Sequence, residues 1–383
     1  MLKYISQRIF FAILTLLIII LVVYLSVAIF TENPFVKKLQ NEQSNNLSES
    51  AKRALFDESV RLHLTPNVNY EDYKNNWFTL KVNPFVRLLY WFKDIFNKNA
   101  PFGLPYNPQI LITAGADSIP HYFFKYLKFS IIITLPSFII SAIFGIILGV
   151  IAGYKRGTTF DVVINFFSLI FIALPSFVIA PILISVLLSV NVPPIFYNPF
   201  SETDIIAHGW NRIILSWIPP ILIIVLGSLS AYISYARNQV VSVLTSNYVL
   251  IAKSKGLSTS EIFFKYVFRN ISIPLAAIII PSYIGLLSGG IVIETYWKVP
   301  GTSQVLAQSF PNGEINLIMF STAFFTTLGL FTTIIVDIIY TILDPRIKYG
   351  STSKYSIRAI VSAYFERNKA FKELAIHGKK GEN

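Results

Sequence analysis

The sequence predicts an all-α polytopic membrane protein with six transmembrane helices and both termini in the cytoplasm. Three observations carry that expectation. Charged residues make up only 14% of the chain while hydrophobic residues make up 54%, against roughly 25% charged in an average soluble domain. Six stretches reach the roughly 20 apolar residues that a bilayer core of about 30 Å demands, each without Asp, Glu, Lys or Arg: 9–30, 129–153, 162–190, 213–236, 271–293 and 315–336. Lys and Arg then gather in alternate connections. Lys3 and Arg8, Lys155 and Arg156, the 237–269 cluster and the C-terminal tail fall on one side. The two short loops on the other side hold only Arg212 and Lys298. Short loops rich in Lys and Arg stay inside.

The first span, within residues 1–30, follows two basic residues as a signal peptide would. Its apolar run is longer than the roughly 7–15 residues of a signal-peptide core, so it is read as a retained span. Residues 31–128 form an extracytoplasmic segment. Asn41 to Ser50 is polar, lacks apolar periodicity and reads as a flexible loop. Residues 84–98 differ, with Phe85, Leu88, Leu89, Phe92, Ile95 and Phe96 at helical spacing and Arg87, Lys93, Asp94 and Lys98 between them. Two readings fit: an amphipathic helix in the membrane interface, or a core helix of a small external domain.

Residues 129–341 are the predicted core, with five spans and a cytoplasmic loop at 237–270, and 342–383 form a basic cytoplasmic tail. Prolines 136, 175, 181, 219, 220, 274 and 281 lie inside spans, where kinks are expected. Gly145, Gly149 and Gly153 recur every fourth residue, as do Gly285 and Gly289, a spacing that lets helix backbones approach closely. Between the fourth and fifth spans a short helix is expected from Asn247 to Lys255. It ends where Gly256 supplies the left-handed residue that helices favour just past their end. Ser258 and Glu261 stand at capping-box spacing for the next helix.

Composition excludes several chemistries. The chain has no cysteine, which removes disulfides, thiol nucleophiles, Cys-ligated zinc and iron–sulfur clusters. The four histidines show no metal-type spacing, and none lies in a span, so no catalytic, metal or cofactor residues are predicted. The net charge of +12 is accounted for by the inside loops and tail, and no nucleic-acid partner is expected. The absence of a G-x-x-x-x-G-K-[ST] loop means that this chain has no phosphate loop of its own. An ion-coupled carrier usually places ionisable residues near the bilayer midplane; Glu294 and Asp337 stand at span ends instead, where they read as caps or interfacial groups.

The order Tyr248, Ala252, Lys255, Gly256, Leu257, followed by Arg269-Asn270 and Ile273-Pro274, resembles the "EAA" loop of ABC importer permeases of the oligopeptide/dipeptide/nickel branch. Leu250 and Ile251 stand where the general motif has Glu and Ala. Residues 145–161 resemble that branch's loop after the second span, Glu294-Thr295 to Pro300-Gly301 its external turn, and Asp337 to Tyr349 its closing motif. The resemblance implies a permease of the bacterial cell membrane, importing peptides or alternatively nickel. Implied partners are a second permease, two cytoplasmic ATPases and an extracytoplasmic binding protein. The implied ATPase-coupling residues are Tyr248, Ile251, Ala252, Lys255, Gly256 and Leu257.

Overall fold

The structure, a computed structural model, describes residues 2–40, 47–343 and 362–369, and among these residues all regular structure is helical. α1 (Leu2–Phe30) is the first span. A cap of short helices follows: α2 (Pro34–Gln40), α3 (Glu49–Arg61), α4 (Tyr70–Tyr73), α5 (Pro84–Ile95) and α6 (Gln109–Ala114). The chain then enters α7 (Ile119–Tyr154), α8 (Thr159–Ala173), α9 (Ser176–Ser189) and α10 (Glu202–Leu244). The connection α11 (Asn247–Ser254) and α12 (Thr259–Ile262) leads into α13 (Arg269–Ser288), then α14 (Ile291–Tyr296), α15 (Thr302–Ser309) and α16 (Ile315–Leu343).

Five helical stretches are long and apolar enough to cross a membrane, and a sixth crossing exists only if α8 and α9 count together. The expected third span is therefore broken: α8 and α9 meet at 102°. Pro175 disfavours helical backbone at the residue before it, and Leu174 is extended at φ −83°, ψ 113°. The other span prolines stay inside helices. An unforeseen interruption falls at Gly209, whose φ of 71° and ψ of 159° turn the start of α10.

The glycine stripe of α7 packs on α10. A Cβ at Gly149 would lie 2.6 Å from the Ile233 carbonyl oxygen, and one at Gly153 would lie 2.7 Å from Val240 Cγ1. Gly285 has nothing within 4 Å, so the second stripe is not used in this way. α1 lies against α16, where Arg8 Nε stands 3.0 Å from Asp337 Oδ2.

Of the stretch read as a flexible loop, 41–50, only its last four residues are described. Residues 41–46 lie outside the described residues, but Ser48 caps α3 by accepting from the Ala51 N–H. Phe35, Phe56, Tyr70, Trp77 and Trp91 are buried together with Ile20 and Tyr24 of α1 and Ile315 and Ile318 of α16. The Phe56 ring lies 5.3 Å from Tyr70 and 5.7 Å from Trp77. Residues so far apart in the chain leave no local periodicity to read. Glu314, at the start of α16, accepts from the backbone N–H groups of Tyr106 (2.7 Å) and Asn107 (2.8 Å), pinning the cap to the bundle.

Candidate functional site

At the far end of α10 the chain makes a compact helix, turn and helix. α10 stops at Leu244, and the Ser246 hydroxyl donates back to the Val243 carbonyl. α11 is too short to be stable alone and is held by burial. Val249 is 0% exposed and Ala252 is buried with it against Ala236 and Val240 of α10, Ile262 of α12, and Val267 and Ile271 beyond. The opposite face is bare: Ile251 is 55% exposed, Tyr248 and Leu250 are also exposed, and Lys253 and Lys255, which follow them, are exposed as well.

The apolar residues Tyr248, Val249, Ile251 and Ala252 thus fall on two faces of α11. At 3.6 residues per turn, positions 249 and 252 share one side, and 248 and 251 share another. Of the residues named as coupling contacts, Tyr248, Ile251 and Lys255 point away from the bundle, Gly256 is exposed in the turn, and Leu257 is half-buried. Ala252 faces inward and acts as an anchor. Leu250, not among the named contacts, joins the outward face.

The turn is closed by local chemistry. Gly256 has φ +78°, its N–H donates to the Lys253 carbonyl (2.9 Å), and the Leu257 N–H donates to the Ala252 carbonyl (3.3 Å). These two bonds satisfy carbonyls that the helix end would leave unpaired. A Cβ at Gly256 would meet nothing within 4 Å, so the position is constrained by its backbone angle and not by space. Ser258 and Glu261 form the expected capping box, the Ser258 N–H donating to Glu261 Oε2 at 2.9 Å. Beyond the box the chain departs from the α-helix expected there: Phe263–Phe268 is π-helical before α13 begins. Such segments are rare and often functional.

A second feature braces this end. Asp161, in the first turn of α8, accepts from Arg237 Nε at 2.6 Å and Arg237 Nη2 at 2.8 Å. Its remaining acceptor capacity is filled by the Gly157 N–H and by Asn165 Nδ2. Arg237 lies on α10, two turns before its end. In the sequence it reads only as one more basic loop residue.

At the opposite end Glu294 is buried and spoken for. It accepts from the Ser130 hydroxyl (2.6 Å) and from the N–H groups of Ser303 (3.0 Å) and Gln304 (3.2 Å). It therefore caps the N-terminus of α15, the capping role expected of it, but from another helix. Gly301 packs so closely that a Cβ there would overlap the Glu294 carboxylate. Of the closing motif, the part after Leu343 lies outside the described residues.

Residues 145–349 match the family described as "Binding-protein-dependent transport system inner membrane component". The chain is also similar to oligopeptide transport system permease proteins OppB. It is 32% identical to that of Mycoplasma genitalium over 225 residues, covering 59% of this chain and 54% of the relative. It is 34% identical to that of Mycoplasma pneumoniae over 197 residues, covering 51% and 50%, and 28% identical to that of Salmonella typhimurium over 215 residues, covering 56% and 66%. The chain spans about half the length of the two Mycoplasma relatives it matches. With its apolar helices, the match makes this a multi-pass protein of the cell membrane. The matched region covers α8 to α16, the 246–258 turn and the Asp161–Arg237 brace, and the chain belongs to the binding-protein-dependent transport system inner membrane component family.

Proposed function

We propose that the chain is a permease subunit of an ATP-driven importer for oligopeptides, and that α11 is the handle by which cytoplasmic ATPases move it. The carrying observation is the bare outward face of α11, with Tyr248, Leu250 and Ile251 exposed and Lys253 and Lys255 exposed just after them, on a helix whose other face is locked into the bundle. Contiguous exposed apolar residues rimmed by charge suit a protein partner. The names of the relatives support oligopeptide as the substrate class; nickel is the alternative.

In this reading the 246–258 end faces the cytoplasm, as the distribution of Lys and Arg suggests, and so do both termini. Two ATPases each hold one coupling helix, one on this chain and one on a second, related permease. A binding protein on the other side delivers the peptide. ATP-driven closure of the ATPases displaces α11. The Asp161–Arg237 pair and the glycine-tight contact of α7 with α10 carry that displacement into the spans as a rigid-body movement. The chain contributes no nucleotide site.

The test is reconstitution. Complexes purified in mild detergent should contain two ATPases and a second permease, and in liposomes they should take up labelled oligopeptide only with ATP and the binding protein. Uptake that follows an imposed ion gradient without ATP overturns the reading; ATP-dependent uptake of nickel but not peptide overturns the substrate.

A further inference from the structure

We propose that α5 lies in the bilayer leaflet nearest the cap, where Phe85, Val86, Leu89 and Phe96 enter the lipid and hold the 31–118 segment down on the membrane.

α5 is apolar on its uncovered side as well as on its buried one, which does not suit a helix in water. Its uncovered side is apolar: Leu89 is 63% exposed, Phe96 is 84% exposed, and Phe85 and Val86 are exposed beside them. Two of its charged residues, Arg87 and Asp94, instead line a cavity of about 150 Å³ shared with Tyr24, His63 and Tyr106. A surface helix in water turns its charged side outward and its apolar side in. Here Leu88 and Trp91 do face the core, yet the outer face is apolar as well. Among the described residues no segment covers it.

Depth identifies the occupant. The Trp91 ring lies 6.0 Å from Tyr24 of α1. Tyr24 precedes Phe30 by six residues, about 9 Å along the axis at about 1.5 Å per residue. The uncharged run 9–30 is about 33 Å long on the same rise, which matches the bilayer core of about 30 Å. α5 therefore docks on α1 within the stretch that crosses the membrane. That depth fits an interfacial helix, which sinks its apolar face about 5–10 Å into the headgroup and acyl boundary. α1 leaves Leu17, Leu21 and Val22 uncovered, so lipid already bathes the helix on which α5 rests. Lys93 is the one charge in the exposed stripe, its ammonium 5.6 Å from the Tyr90 ring centroid, and its long stem can carry the charge back to the headgroups.

The absence of cysteine from the chain makes the test direct. Single variants L89C and F96C, with V86C as a third position should either fail to insert, are spin-labelled in the full chain in liposomes. Collision with oxygen is compared with collision with a water-soluble nickel chelate. Val22→Cys in α1 and Glu71→Cys in α4 set the lipid and water references. Labels at 89 and 96 are expected to show an oxygen-to-chelate ratio several-fold above that at 71 and close to that at 22. A ratio like that at 71 means the face is in water, and exclusion of both reagents means that protein covers it; either result overturns the proposal.

Discussion

Arg237 grips Asp161 with two nitrogens across 76 residues of chain, Nε to Oδ1 at 2.6 Å and Nη2 to Oδ2 at 2.8 Å. The pairing is bidentate, the geometry that gives guanidinium–carboxylate contacts both strength and direction. It fixes the first turn of α8 to α10 close to where α10 delivers the chain into α11. The Gly157 N–H adds a bond to the same carboxylate, so the loop after α7 is tied into the joint. In the proposed mechanism, a pull on α11 would reach α8 as well as α10 through this joint.

Breaking that joint should uncouple the spans before it unfolds them. Asp161→Asn removes the charge and leaves Arg237 without its counterion, at an expected cost of about 1–3 kcal/mol. Exchanging the residues, Asp161→Arg with Arg237→Asp, should recover part of the loss. A double-mutant cycle on the thermal midpoint of the complex and on substrate-stimulated ATP hydrolysis checks this. Strictly additive effects of the single variants would show that the pair is not a coupled unit.

Gly256 should respond to backbone preference and not to size. A non-glycine residue in the left-handed region pays about 1–2 kcal/mol, Asn least, and no neighbour stands in the way of a side chain. Peptide-stimulated ATP hydrolysis is expected to fall in the order Gly, Asn, Ala, Val while insertion is unchanged. Equal rates for all four would mean that the turn angle is irrelevant to coupling.

The two glycine stripes should behave oppositely. Gly149→Ala drives a Cβ to 2.6 Å from the Ile233 carbonyl oxygen and should destabilise the bundle by about 1–3 kcal/mol, the usual scale for overpacking. Gly285→Ala meets nothing within 4 Å and should leave the midpoint of thermal unfolding in place. Paired melting curves in detergent decide the point, and a Gly149→Ala protein as stable as wild type would rule out the close α7–α10 contact.

Glu314 supplies a pH dependence. Burial pushes its carboxyl above the ordinary value of 4.5, with the Tyr106 and Asn107 N–H groups pulling in the opposite direction. The folded cap therefore holds this proton more tightly than the unfolded chain does. The contribution to stability is fully present below 4.5 and is lost as pH rises through the folded value. Glu314→Gln should flatten that part of the profile of melting midpoint against pH, and superimposable profiles would refute the assignment.

The features legible in the sequence were those decided within a few residues. Gly256 and the Ser258–Glu261 box are complete in a short window, and the uncharged runs need only counting. What escaped depended on distance along the chain. Nothing near Asp161 announces Arg237, and the core formed by Phe35, Phe56 and Trp77 has no period that could reveal α2 and α3. Length and apolarity alone predict a third span over 162–190, yet the extended Leu174 before Pro175 turns the chain there. The one-sided burial of α11 was hidden because all its apolar residues look alike until the neighbouring helices choose between them.

Whether an ATP-hydrolysing partner holds the outward face of α11 is decided by cysteine-directed photocrosslinking in intact membranes, with Ile251→Cys on the outward face and Val249→Cys on the buried one. Position 251 is expected to crosslink to a Walker-motif protein, less efficiently when nucleotide hydrolysis is blocked in one state of the cycle, and position 249 to give no such product. Efficient labelling at 251 with no nucleotide-hydrolysing protein captured would show that α11 is not the handle.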